Sequence, residues 1–398
     1  MGKASDMSTA AAKPAVQPAM SHGDVQYPRS EIPMSVRDWI VAMAIIAAVL
    51  TFVPMNWRRI ESLPPSARLP YDRSSDYWLF DRLARQESSR GKVLVLGDSV
   101  VWGHYVTDSE TLSSQLNRRG ACDRFANLGV DGIHPCALEG LIRYYGSAIR
   151  DGCVVLHCNL LWMSSPRHDL SGHTAFAFNH PRLAPQLHPW IPCYDEDLAG
   201  RLAIAVGREL PWGRLAAHLQ AACFDGVDMP TWTLDHPYAN PVAAAIWPPP
   251  GESVAMPPGV TAETWVQRQA SLLPDQWVDM ETSFQWACFR RAVGLLRDGG
   301  NRIFVVIGPF NEHMLSASGL SACHRQVAVA EAWLRQEGIT CLAAPVLPGD
   351  EYADASHPLP SGYARMARQL LAEPSFAAFA GIAEGNATRR PKGEPLEP

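Results

Sequence analysis

Cysteine is too sparse to build this chain: nine in 398 residues, an odd number, with no Cys-x-x-Cys pair. That argues against a disulfide scaffold, a zinc ribbon and a thioredoxin-like site, and leaves at least one thiol unpaired within the chain. Charge of neither sign dominates, since 34 Lys and Arg face 40 Asp and Glu for a net −6, so no nucleic-acid footprint is expected. Charged residues make up only 19% against 47% hydrophobic, which excludes a chain disordered throughout. There is no Walker-type phosphate loop, no dinucleotide fingerprint and no heptad run, so no cofactor is expected. His168, His173, His180 and His188 stand at spacings that match no helical or hairpin ligand pair, so no metal is expected either.

What is present begins with an apolar run. Residues 1–37 are rich in Ala, Ser, Pro and Met without a period and read as a disordered tail. From Trp39 to Val53 the only non-apolar side chain is Thr51, and the run reaches Trp57 before Arg58 and Arg59. A helix of that length is roughly 28 Å long, enough for one membrane span with a Trp at each interface. The alternative is a buried core helix; a cleaved signal peptide fits less well, because the preceding region is long and no small-residue cleavage site follows. The expected organisation is an anchor at 38–57, a linker at 58–90 with a short amphipathic helix near Tyr77–Arg85, a catalytic body at 91–380 and a disordered tail at 381–398.

Within the body, short runs rich in β-branched residues at Val93–Leu96, Arg124–Leu128, Cys153–Cys158, Arg302–Ile307 and Thr340–Ala344 alternate with helical patterns. This predicts an α/β fold, an open parallel sheet of about five strands with helices on both faces. Loops after the strands then share one edge, where functional residues belong. Gly97-Asp98-Ser99 follows the first strand and presents a hydroxyl there, or merely caps a helix. Asn127-Leu128-Gly129 follows the second, with a backbone N–H available at Gly129 or only a turn. Asn159 follows the third, with His157 before it. Asp354 and His357 lie on one loop after the fifth, spaced so that the carboxylate can meet the imidazole.

These four blocks, in this order, resemble the SGNH hydrolases, also called GDSL-type esterases or lipases, of a membrane-anchored bacterial type. The resemblance covers about residues 92–165 and 300–373. It implies a flavodoxin-like sheet with Ser99 as nucleophile, His357 as general base and Asp354 as its orienter. It also implies an oxyanion hole built from the Ser99 N–H, the Gly129 N–H and the Asn159 amide. The third block departs from the family pattern at its neighbours, with His157 before the Asn and Leu160 after it.

Between the third and fourth strands lies an insertion, about residues 163–300, that holds seven of the 13 Trp among Pro-rich turns. Trp faces there either stack on sugar rings or fill a small accessory core. Trp102, His157, Asn311 and His313 are further candidates for substrate contacts. The expectation is a single-pass membrane enzyme with its body on the extracytoplasmic, periplasmic side. It would be a serine esterase or O-acyltransferase acting on short acyl esters, acetyl above all, of a carbohydrate polymer. The count of positive flanking charges leans the other way, towards a cytoplasmic body. A glycan-binding assembly subunit without catalysis and a lipid-directed esterase are the alternatives.

Overall fold

The computed structural model of the chain describes residues 35–61, 67–246, 259–273 and 276–382. Most of both expected tails, Trp247 and the run of prolines after it lie outside these. The chain divides into two units, residues 1–48 and 49–398.

The first helix, α1 (Val36–Ile60), is opened by a reciprocal cap in which Ser35 N–H meets Asp38 Oδ2 at 2.9 Å and Asp38 N–H meets Ser35 Oγ at 3.2 Å. Trp39, Ile40, Phe52 and Met55 along it are all exposed. It is one helix long and apolar enough to cross a membrane, over Val36–Trp57.

The body is a five-stranded, all-parallel sheet: β1 (Val93–Gly97), β2 (Phe125–Gly129), β3 (Cys153–Cys158), β4 (Arg302–Ile307) and β5 (Thr340–Ala343), in the order β2-β1-β3-β4-β5. Register is continuous, with Val93 beside both Phe125 and Cys153, and Leu96 beside Leu128 and Leu156. The order reverses at β1, so the carboxyl ends of β1 and its neighbours frame a crevice.

Strand parity sorts side chains between two cores. Leu94, Leu96, Leu128, Val154, Leu156, Val305 and Ile307 face one side. They are covered there by α2 (Tyr77–Ser89), α5 (Pro135–Tyr145), α10 (Phe284–Asp298) and α11 (Ala317–Gln336). Val93, Val95, Phe125, Val155, Phe304 and Val306 face the other side. That side is covered by α3 (Ser99–Trp102), α4 (Leu112–Arg119), α12 (Pro360–Ala372) and α13 (Pro374–Ala380). Strands buried on both faces are continuous apolar runs for this reason.

Two boundaries differ from the sequence expectation. The helix α2 is no linker element: Tyr77, Leu79, Phe80, Leu83 and Ala84 are buried in the first core. A four-residue-spaced apolar stripe beside a Pro-rich stretch does not reveal which sheet face it covers. The insertion is also shorter than expected, because α10 packs along α5 as the ordinary crossover helix into β4. Among the described residues, what remains is irregular chain after Met163 and before α10, together with four helices, α6 (Leu198–Glu209), α7 (Pro211–Cys223), α8 (Met229–Asp235) and α9 (Pro241–Ile246).

One buried charge cluster ties α7 to the body. His218 Nδ1 lies 2.8 Å from Asp76 and its Nε2 lies 3.0 Å from Glu61, while Trp78 stacks on the ring. Asp76 also caps α2 by accepting from Leu79 N–H at 3.0 Å, and Arg82 pairs with Glu61. Burial alone would lower the His218 pKa, but the charges and hydrogen bonds of Asp76 and Glu61 outweigh it and raise it to about 9. A pKa raised on folding stabilises fully below the unfolded value near 6.5 and ceases to do so as pH climbs through the folded one. The melting temperature should therefore fall between about pH 6.5 and 9, and His218→Gln should flatten that decline while lowering stability at pH 6 by roughly 1–3 kcal/mol. Thermal denaturation across pH checks both; an unaltered slope in the variant would place the titrating group elsewhere.

Candidate active site

The site assembles at the carboxyl edge of the sheet. β1 ends at Gly97, and Asp98 then caps α3 by accepting from Val100 N–H at 3.0 Å. Ser99 thus opens a four-residue helix that stops at Gly103. Arg68 holds this turn, donating to the carbonyls of Trp102 and Gly103 at 2.7 Å each and pairing with Asp108.

From the far end of the chain, Asp354 folds its own loop. Its Oδ1 accepts from Ser356 and His357 N–H at 3.0 Å each, and both carboxylate oxygens lie 2.8 Å from His357 Nδ1. The other ring nitrogen, Nε2, lies 2.7 Å from Ser99 Oγ. With the carboxylate fixing the proton on Nδ1, Nε2 is the acceptor for the Ser99 hydroxyl proton. Residues 258 positions apart in sequence are therefore in one hydrogen-bonded chain.

Electrostatics suit this order. Burial would raise the Asp354 pKa, but the His357 charge, its hydrogen bond and two backbone N–H groups hold it well below the usual carboxylate range. Burial would lower that of His357, but the Asp354 charge and hydrogen bond, with smaller contributions from Asp98 and Asp131, raise it overall.

Beneath Ser99 lies a second carboxylate. Asp98 Oδ1 meets His157 Nδ1 at 3.1 Å, and Oδ2 accepts from Asn159 Nδ2 at 2.7 Å and Trp162 Nε1 at 3.0 Å. Burial opposes its ionisation, yet the His157 charge and these hydrogen bonds hold its pKa at about 2. Asn159 is oriented from its other end as well, since its Oδ1 accepts from Leu161 N–H at 3.0 Å. Its amide keeps a second hydrogen beyond the one given to Asp98.

Several sequence expectations are corrected here. Gly129 N–H is committed to Asn127 Oδ1 at 2.9 Å, so it is not free for an oxyanion. Its lack of a side chain serves packing: a Cβ there would lie 2.3 Å from the Trp102 backbone nitrogen. By contrast the N–H groups of Ser99 and of Gly132, three residues further on at φ +70°, have no acceptor among the described residues. Trp102 is fully buried, its indole donating to Leu69 O at 2.7 Å and its ring covered by the Arg68 guanidinium at 3.8 Å, so it offers no face to substrate. His157 has both ring nitrogens occupied, by Asp98 and by Gly308 O at 2.9 Å. Asn311 is buried and braces the triad loop, donating its side-chain amide to Asp354 O at 3.0 Å. His313 turns to Leu347 O at 3.1 Å.

The Trp of the insertion divide. Trp232 is buried, as is Trp286 on the crossover helix α10, and Trp265 is tied to Gly349 O at 3.0 Å. Trp190 is 63% exposed with Arg201 on its ring at 4.1 Å, and Trp212 is 39% exposed.

Other residues around the triad were not singled out in the sequence. Tyr105 packs edge-on against His357, ring centres 5.4 Å apart, with the Arg268 guanidinium 4.6 Å above its own ring. Burial, then the Asp354 charge, pushes its phenol up to about 12. His104 lies 5.6 Å from His357 ring to ring and 2.6 Å from Asp131 Oδ1 through Nδ1. Their proximity to Ser99-Val100-Val101-Trp102-Gly103 in sequence was the available signal. Among the described residues no three His, Cys, Asp or Glu side chains cluster as metal ligands would.

A base must be neutral to accept a proton, so turnover should fall as pH drops through the raised His357 pKa. Asp354→Asn removes the charge that raises it while burial still lowers it. The acid limb of kcat/KM should then move to lower pH, with kcat reduced about a hundredfold or more as the tautomer is lost. A pH–rate profile of both proteins tests this; a limb that stays in place would deny His357 the role of base.

In comparisons with known proteins, no family model matches the chain and no curated protein matches it.

Proposed function

We propose that the chain is an SGNH-type serine esterase or O-acyltransferase that acts on short acyl esters of a carbohydrate. The observation that carries this reading is the unbroken hydrogen-bonded chain from Asp354 through His357 to Ser99 Oγ. In the first half-reaction the Ser99 hydroxyl proton passes to His357 Nε2 while Oγ attacks the ester carbonyl. The tetrahedral oxygen is met by the Ser99 N–H, the spare Asn159 amide hydrogen and, in place of Gly129, the Gly132 N–H. His357 then protonates the departing alcohol, leaving an acyl-Ser99, and water or a second hydroxyl reverses the sequence.

A serine-directed phosphonate should label the detergent-solubilised protein at Ser99 and nowhere in Ser99→Ala. Turnover of a short aryl ester should fall about a thousandfold or more in the variant, with little change in melting temperature. Absence of labelling in the wild type would favour a glycan-binding module instead.

The reading includes membrane anchoring through α1, supported by its length and exposed apolar surface. We place the body on the extracytoplasmic side, because polymer substrates are met there and long domains translocate largely regardless of flanking charge. Protease added to expressing bacteria with an opened outer layer should digest the body. Cleavage confined to residues 1–37 would invert the anchor.

A further inference from the structure

Beside the triad opens a cleft of about 740 Å³ whose walls come from three separate parts of the chain. Tyr71 lies before α2, His104 and Asp131 belong to loops at the sheet edge, and Asn179, Arg182 and Gln220 belong to the insertion. From these residues we infer that the cleft is the alcohol-side subsite, binding the polyhydroxylated part of the ester or acceptor. His104 would be the residue that positions it. This rests on the reading that Ser99 becomes acylated.

The cleft reaches the chemistry through His104, whose ring is 5.6 Å from that of His357. Asp131 Oδ1 at 2.6 Å from Nδ1 occupies that nitrogen and fixes the ring orientation, so Nε2 is the nitrogen left to meet a ligand. Among the described residues Nε2 has no partner, and the ring is in the cleft wall. A base and a second imidazole nitrogen side by side match an alcohol with neighbouring hydroxyls. One gives its proton to His357, while the next shares a hydrogen bond with His104.

In the transfer half-reaction that first oxygen bonds to the acyl carbon, the carbon–Oγ bond of Ser99 breaks, and His357 returns the proton to Oγ. His104 exchanges no proton. The remaining walls offer a flat Tyr71 ring and the amide or guanidinium groups of Asn179, Gln220 and Arg182. An acyl chain or a lipid tail would need a continuous apolar lining, whereas a sugar matches this mixture.

The insertion is physically coupled to this wall. His180 Nε2 lies 2.8 Å from Asp131 O while its Nδ1 lies 2.9 Å from the Tyr77 hydroxyl. A Cβ on Gly132 would lie 2.5 Å from Asn179 Nδ2, so the insertion also abuts the loop expected to help hold the oxyanion.

The test is acetylation of Ser99 in the full-length, detergent-solubilised protein, read by intact mass under single-turnover conditions. The donors are 4-nitrophenyl acetate and acetylated cello- and manno-oligosaccharides. The ratio of oligosaccharide to aryl rate should fall fivefold or more in His104→Gln and in Gln220→Ala, the second being a milder change at the rim in case the first misfolds. A ratio within twofold of wild type in both variants would overturn the subsite. Acetylation of wild-type Ser99 by the aryl ester but not by the oligosaccharides would likewise overturn the subsite, whereas failure of both ester classes would overturn the esterase reading on which it rests.

Discussion

A carboxylate held ionised at the end of β1, with almost no access to water, is the constraint from which the site follows. Taking such a charge out of water costs several kcal/mol unless donors replace the lost hydration. Asp98 gathers four: Val100 N–H from α3, His157 from β3, and Asn159 and Trp162 from the turn beyond it. Each donor is thereby fixed, and with them the start of α3 and the Asn159 amide. The neighbour of Ser99 in sequence thus organises what surrounds Ser99 in space.

The two carboxylates of the site divide the work by environment. Asp354 accepts from its own loop and from His357, and so aims the imidazole at Ser99 Oγ. Asp98 accepts from structural donors and touches no part of that relay directly. Both are ionised for the same reason, a neighbouring imidazole charge and hydrogen bonds outweighing burial, yet one orients an imidazole and the other a scaffold. Asn311 and Arg68 support the two halves from outside, bracing the Asp354 loop and the turn after Ser99.

The insertion supplies less aromatic surface and more polar wall than its composition suggests. Its Trp are partly spent on packing, as at Trp232 and Trp265, while its contact with the sheet edge runs through His180 and Asn179. The buried His218 cluster fastens α7 to α2 from another direction. An accessory segment held at both places can shape a cleft without contributing to the reactive atoms.

The alternation of short apolar strands and helices is local in sequence, since burial on both faces demands runs such as Val93–Leu96 and Cys153–Cys158. The parallel sheet was therefore legible in the sequence, as was the placement of Ser99, Asp354, His357 and Asn159 on segments that follow its strands. So was an N-terminal helix long enough to span a bilayer, because length and apolarity are properties of a segment alone. Which hydrogen-bonding groups remain free is a property of neighbours that only folding brings together. Gly129 lost its expected role to an amide two residues away, and Trp102, His157 and Asn311 to partners more than 30 residues distant. The His104–Asp131 pair and its cleft carry no motif at all. Tertiary structure alone decided them, because a lone donor or acceptor acquires meaning only from the geometry of what is left unpaired beside it.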